Sequence, residues 1–193
     1  LLIFSMFAVS QDSNSELWSK IEYRYKINKK NSISLESGSR YNLQPILFSK
    51  QFLDLSSSYK INKSTSIEAG ARFVKTPGEI FFGTRLYFTM FYKKNFDKLR
   101  LSFRSRIFSE QNVVSYHRQV FRNRVSLGYS FLSFLNPYIE SEYLHGINDV
   151  TPNKFRFGVG NQFEFSKSIG LKIFFRIQDK DERIFGLYIT KKV

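Results

Sequence analysis

The chain of 193 residues contains no cysteine, so neither a disulfide framework nor a thiolate metal site is available to it. It has only two histidines, and no spaced His/Cys/acid metal set, Gly-x-Ser-x-Gly elbow or phosphate-cradling glycine loop. No segment approaches the roughly 18 uninterrupted apolar residues that a membrane helix needs. Acid is scarce as well: 16 Asp and Glu stand against 30 Lys and Arg, a formal net charge of +14. That surplus does not indicate nucleic acid. Apart from Lys29-Lys30, Lys93-Lys94 and Lys191-Lys192, the basic residues occur singly within alternating segments. A nucleic-acid surface clusters its charge on one face together with aromatics, whereas here the two separate onto opposite faces.

What the chain has in excess is aromatic residues, 22 Phe and 11 Tyr. They recur with a period of two, and helical periodicity is absent. Segments bounded by turn residues predict strands at 16–27, 32–43, 51–61, 66–75, 80–93, 99–108, 119–131, 137–145, 154–165, 170–178 and 183–191. Short polar turns at 28–31, 62–65, 94–98, 132–136 and 166–168 alternate with longer connections at 44–50, 76–79, 109–118, 146–153 and 179–182. Such alternation is that of an antiparallel up-and-down meander with one trimmed end. The segments number eleven, whereas an exported barrel with both termini on one side needs an even count, so ten to twelve strands are expected.

Four strands define two faces. One carries Leu99, Leu101, Phe103, Ser105 and Ile107, and continues through Phe121, Val125, Phe155, Phe157, Val159, Leu171 and Phe175; eighteen of its twenty-one positions are apolar. The other carries Arg100, Arg104, Arg106, Phe108, Arg122, Arg124, Arg156, Lys172, Phe174 and Arg176, with only two large apolar residues among nineteen positions. A soluble barrel would turn the apolar face inward, and a membrane barrel turns it outward. Three features favour lipid outside. Glycines repeat on the polar face (Gly38, Gly70, Gly83, Gly128, Gly158, Gly160), where a narrow lumen needs room for large neighbours. The apolar face is continuous and rich in Phe. Tyr23, Tyr25, Tyr41, Tyr59, Phe73, Tyr92 and Tyr129 sit near strand ends, as an interfacial girdle would. The expected fold is an all-β transmembrane barrel with short periplasmic turns and longer outer loops, and outer-membrane lipid is its surrounding.

The polar face then lines a lumen. Its expected network comprises Arg24, Glu36, Arg40, Glu68, Arg72, Arg85, Arg104, Arg122, Arg124, Glu140, Glu142, Arg156, Glu164 and Arg176, joined by Glu22 and Asp54. Guanidinium groups can bridge carboxylates bidentately, so ion pairs bracing a narrow barrel are the favoured reading. Because arginines outnumber acids, a charged pore or anion-binding lumen is the alternative. No cofactor, metal or catalytic residue is indicated. A lipid-modifying barrel enzyme and a soluble periplasmic binding barrel are the competing classes. For the former, His117 lies near Ser115 and Glu110, and His145 near Asp149, but loop neighbours do not make a triad.

Trp18, the two near-identical stretches "NKKNSISLESGSRY" and "YKINKSTSIEAGARF", "LRLSFRSRI", "FRNRVSLGY", "PYIESEY", the glycine-rich "KFRFGVGNQFEFSKSIGLKIFFRIQ" and the closing "IFGLYITKKV" together resemble the family called domain of unknown function 2490. The resemblance covers the chain from about Trp18 onward. It implies an exported outer-membrane β-barrel of Gram-negative bacteria, inserted by the barrel-assembly machinery, and brings no catalytic or ligand residues. Barrels of this kind commonly end on an aromatic, whereas this sequence ends Lys191-Lys192-Val193. The apolar run Leu1 to Val9, followed by small and polar residues, is expected to be a signal-peptide remnant over 1–10, with one barrel domain over 11–193.

Overall fold

A computed structural model of the protein describes residues 15–80, 82–111, 117–132, 134–147, 153–179 and 181–193. The expected signal-peptide segment lies outside the described residues. Eleven strands follow one another: β1 (Ser15–Lys26), β2 (Asn31–Leu43), β3 (Ile46–Lys60), β4 (Thr65–Lys75), β5 (Gly83–Phe96), β6 (Leu99–Gln111), β7 (His117–Tyr129), β8 (Leu135–Gly146), β9 (Lys154–Glu164), β10 (Ile169–Gln178) and β11 (Glu182–Lys192). Each pairs antiparallel with its sequence neighbour, and the sheet closes between β1 and β11. The closing pair is parallel, from Ser15 opposite Arg183 to Arg24 opposite Lys192. An odd number of strands in a meander forces this, because the first and last must run the same way. The barrel thus has the eleven strands that the segments number, and the even count expected of an exported barrel is not met.

One end of the barrel carries the tight turns. After β1, Asn28 Oδ1 accepts from the backbone N–H groups of Lys30 and Asn31, both at 2.8 Å. After β3, Asn62 Oδ1 accepts from Ser64 and Thr65 in the same way, again at 2.8 Å. The asparagine side chain substitutes for a backbone carbonyl, so the twin stretches share a turn for a local reason. Ser166 Oγ does the same for Ser168 and Ile169 after β9, at 3.2 and 3.0 Å.

The other end departs from expectation at 44–50. No long loop forms there: the chain turns at Gln44 and Pro45, and β3 begins at Ile46. A register shift opposite Arg40/Tyr41 absorbs one extra residue of β3, and Tyr41 packs edge-on against Phe48 with ring centroids 5.6 Å apart. The bulge breaks the period of two within "ILFSKQF", which concealed the strand in the sequence. The connection expected at 109–118 is also shorter, since β6 continues to Gln111 and β7 starts at His117 in unbroken register.

Strand alternation places the two faces as expected. Ile21, Leu53, Leu86, Phe88, Val125, Phe157 and Ile177 stand exposed on the outside. Tyr25, Tyr59 and Tyr129 are exposed near the tight-turn end and Phe73 near the opposite one. Two apolar clusters lie inside the lumen. One is Tyr87, Phe108, Val120 and Leu144. The other is Trp18, Phe174 and Ile184, with Tyr138 and Tyr188 against it. The two large apolar residues of the polar face, Phe108 and Phe174, are thus lumen filling.

Candidate lumen site

The site is built from a repeated cross-strand unit. Four inward glycines each stand directly opposite an aromatic residue: Gly38 and Phe52, Gly70 and Tyr87, Gly160 and Tyr138, Gly186 and Phe174. Each ring lies over its glycine so closely that an added Cβ would meet ring atoms at 1.9 to 2.7 Å. The glycines let large rings lie flat against the wall of a narrow barrel. A cation then covers each ring. Arg72 lies 4.0 Å from the Phe52 centroid, Arg106 3.9 Å from Tyr87, Lys172 4.1 Å from Tyr138 and Arg176 4.1 Å from Phe174. The ring face attracts the cation and holds it along the wall.

Carboxylates link these cations into a belt. Glu36 takes Lys20 at 2.6 Å and Arg72 at 2.9 Å, and Arg72 also reaches Asp54 at 2.7 Å. The Tyr87 hydroxyl donates to Asp54 at 2.6 Å. Arg106 joins Glu68 at 3.1 Å and donates to Thr89 at 2.7 Å. Glu142, with its side chain 2% exposed, receives Arg104, Arg122 and Arg156 at 2.9, 2.7 and 3.0 Å. Glu140 receives Arg176 at 2.6 Å, with Arg124 and Lys172 each at 3.5 Å. A buried carboxylate alone would carry a desolvation cost of several kcal/mol, which converging charge-assisted hydrogen bonds offset. Many links span alternate strands, from β2 to β4, β4 to β6, β6 to β8 and β8 to β10, so the belt follows the wall.

Four members of the expected network stand off the belt's main run. Arg85 pairs with Glu110 at 2.9 Å beside Phe108, near the end opposite the tight turns. Arg24 pairs locally with Glu22 at 2.5 Å. Arg40 makes no ion pair among the described residues and instead covers Trp18, its guanidinium 4.0 Å from the ring. Glu164 is exposed near the tight turns, 3.9 Å from Arg100. The expected set omitted Lys20, Arg106, Lys172 and the ring partners. Arg106, Lys172 and Phe174 were legible as inward positions by alternation, whereas the match of Gly186 to Phe174 depends on pairing register alone.

Inside the belt is a chamber of about 220 Å³. Nine cations line it, among them Arg40, Arg72, Arg104, Arg106, Arg122 and Arg176, against the four acids Glu22, Glu36, Asp54 and Glu68. The Nε of Arg104 is buried without a hydrogen-bond acceptor among the described residues. Four of the nine cations, Arg104, Arg122, Arg124 and Arg176, are paired with Glu142 and Glu140 behind the lining, so the chamber keeps a positive surplus of nine cations over six acids. The histidines lie elsewhere. His117 opens β7, and Ser115 and Asp149 lie outside the described residues. His145 is exposed at the end of β8, stacks 6.2 Å from Tyr143 and bonds Asn153 Oδ1 at 2.9 Å. Among the described residues no group of three His, Cys, Asp or Glu side chains could hold a metal ion.

This architecture is similar to that of solved porins. The NanC porin in a rhombohedral crystal form superposes with a TM-score of 0.59 at 12% identity, over 92% of this chain and 97% of that one. A KdgM porin in complex with disordered oligogalacturonate gives 0.58 at 18% identity, over 85% of this chain and 84% of that one. The KdgM porin by itself gives 0.53 at 17% identity, over 85% of this chain and 94% of that one. At these identities the likeness is one of fold. No curated protein sequence matches the chain. The profile of the family described as "Protein of unknown function (DUF2490)" matches residues 15–184, and the chain belongs to that family.

Proposed function

We propose that the protein is a porin-like barrel of the bacterial outer membrane whose braced lumen serves as a narrow, anion-preferring channel. The observation that carries this is the belt chamber, with nine lining cations against six acids once Glu140 and Glu142 are counted, and the Arg104 Nε uncommitted among the described residues. Such a chamber lowers the energy of a partly dehydrated anion and raises that of a cation. An exterior of exposed Leu, Ile, Val and Phe on neighbouring strands supports the membrane location, because a continuous apolar surface of this kind is unstable in water. Export through an N-terminal signal peptide and insertion by the barrel-assembly machinery belong to the same reading. The fold neighbours add an analogy: one solved KdgM porin is in complex with an acidic sugar chain.

In planar lipid bilayers the reconstituted protein should give small conductance steps. In a salt gradient their reversal potential should shift toward that of chloride. Cation-selective steps, or a barrel that inserts without any steps, overturn the channel.

A further inference from the structure

Toward the tight-turn end, the lumen loses its acids. A mouth cavity of about 630 Å³ is lined by seven cations, including Lys63, Lys93, Arg100 and Lys192, and by the single acid Glu164; two of the seven, Arg124 and Lys172, also lie 3.5 Å from Glu140 behind the lining. Beside it lies a second cavity of about 760 Å³ whose lining holds seven cations and no acid. The two share Lys63 and Lys93. The charged groups acting most strongly on Lys93 are Arg24, Arg124, Arg100 and Lys192, all of them cations. Lys93 itself makes no ion pair among the described residues. The opposite end differs: there Arg85 is matched by Glu110, Lys154 by Glu182 at 3.9 Å, and Lys75 by the carbonyls of Glu79 and Ile80.

The cations of this mouth come from opposed walls. Lys93 and Arg100 belong to β5 and β6, and Lys172 and Lys192 to β10 and β11, across the barrel. All line one cavity and not the apolar exterior. Hydroxyl and amide groups stand between them: Ser102 and Ser126 share a hydrogen bond of 2.6 Å, and Asn136 and Gln162 line the same space. The Tyr138 hydroxyl, in the same lining, is buried without a hydrogen-bond partner among the described residues. Like charges gathered around a concavity repel one another, and the same concavity focuses their field on any anion that enters.

We propose that the tight-turn mouth is a binding site for a multivalent oxyanion, a small molecule or short chain bearing two or more phosphate or carboxylate groups, held between the β5–β6 and β10–β11 walls. A single monovalent ion could neutralise only one wall, whereas a molecule with spaced charges engages both. The site rests on the anion-preferring reading of the lumen and adds to it the class of ligand and the end at which it binds.

The test is equilibrium binding to the purified barrel in a neutral detergent at low salt, with tripolyphosphate, trigalacturonic acid and neutral maltotriose as probes. At least one of the two anions should bind, with affinity falling as salt is raised, and maltotriose should not. The stronger anion identifies the phosphate or carboxylate source. The double substitution Lys93→Gln with Arg100→Gln should weaken binding by about tenfold or more, as loss of charge-assisted hydrogen bonds does. A second pair, Lys63→Gln with Lys192→Gln, should do likewise if the first impairs folding. The site is overturned if neither anion binds, or if both folded variants bind as the parent does. It is also overturned if anionic lipid in a nanodisc, and not these substitutions, governs the binding. Anion-selective conductance without mouth binding removes this site and leaves the channel standing. Mouth binding without conductance does the reverse.

Discussion

Three guanidiniums converge on the Glu142 carboxylate, from Arg104 on β6, Arg122 on β7 and Arg156 on β9. With its side chain only 2% exposed, water cannot replace any of them cheaply. Glu142→Gln leaves the shape nearly unchanged and removes the one charge common to all three. The expected loss is about 3–5 kcal/mol, the range for a buried ion pair deprived of one partner. It should be visible as a lower temperature at which the folded band converts to the unfolded one on a semi-native gel. Glu164, exposed and 3.9 Å from Arg100, is the internal control. The same substitution there should change stability by well under about 1 kcal/mol.

A glycine, the aromatic opposite it and the cation above the ring form a packing unit that no single strand contains. Gly186 is the tightest case, since a Cβ there would stand 1.9 Å from the Phe174 Cζ. Gly186→Ala must displace the ring within its cluster with Trp18 and Ile184, at a cost of about 1–3 kcal/mol for overpacking, or more if the ring cannot move. Phe174→Leu in the same chain should recover part of that loss, so a double-mutant cycle by thermal unfolding should show coupling between the two positions. Additive effects would mean that the ring does not rest on Gly186. The unit also accounts for the twin stretches. Glu36-Gly38-Arg40 and Glu68-Gly70-Arg72 each present an acid to the belt, a gap for a neighbouring ring and a guanidinium to an aromatic face.

At the scale of the whole barrel, membrane placement depends on the outward band. Phe157 stands exposed on β9, opposite Ser141 and Ile177 on its two neighbouring strands. If that band meets lipid, Phe157→Arg should cost about 2–4 kcal/mol near the bilayer midplane and reduce the membrane-assembled fraction on cell fractionation. Full assembly of the variant would overturn the lipid-facing assignment. The conductance and mouth-binding experiments probe the other whole-molecule property, a lumen whose cations outnumber its acids in the belt chamber and do so more strongly toward the tight turns.

The alternation of Phe with Arg or Gly along single strands settled the barrel class, the two faces, most strand positions and the inward direction of the network, because a strand's side-chain period is fixed by its backbone. The parallel closure of an eleven-strand ring was not legible, since the pairing of β1 with β11 is a contact between residues nearly a whole chain apart. Nor was the choice of partners. Arg104 meets Glu142 and Arg176 meets Glu140 across two strands, separations of 38 and 36 residues. A one-residue slip in either intervening register would send those side chains to the outside. Which residues turn inward follows from the alternation along each single strand. Only the closed sheet decided which acid neutralises which base, and therefore where positive charge is left over for a ligand.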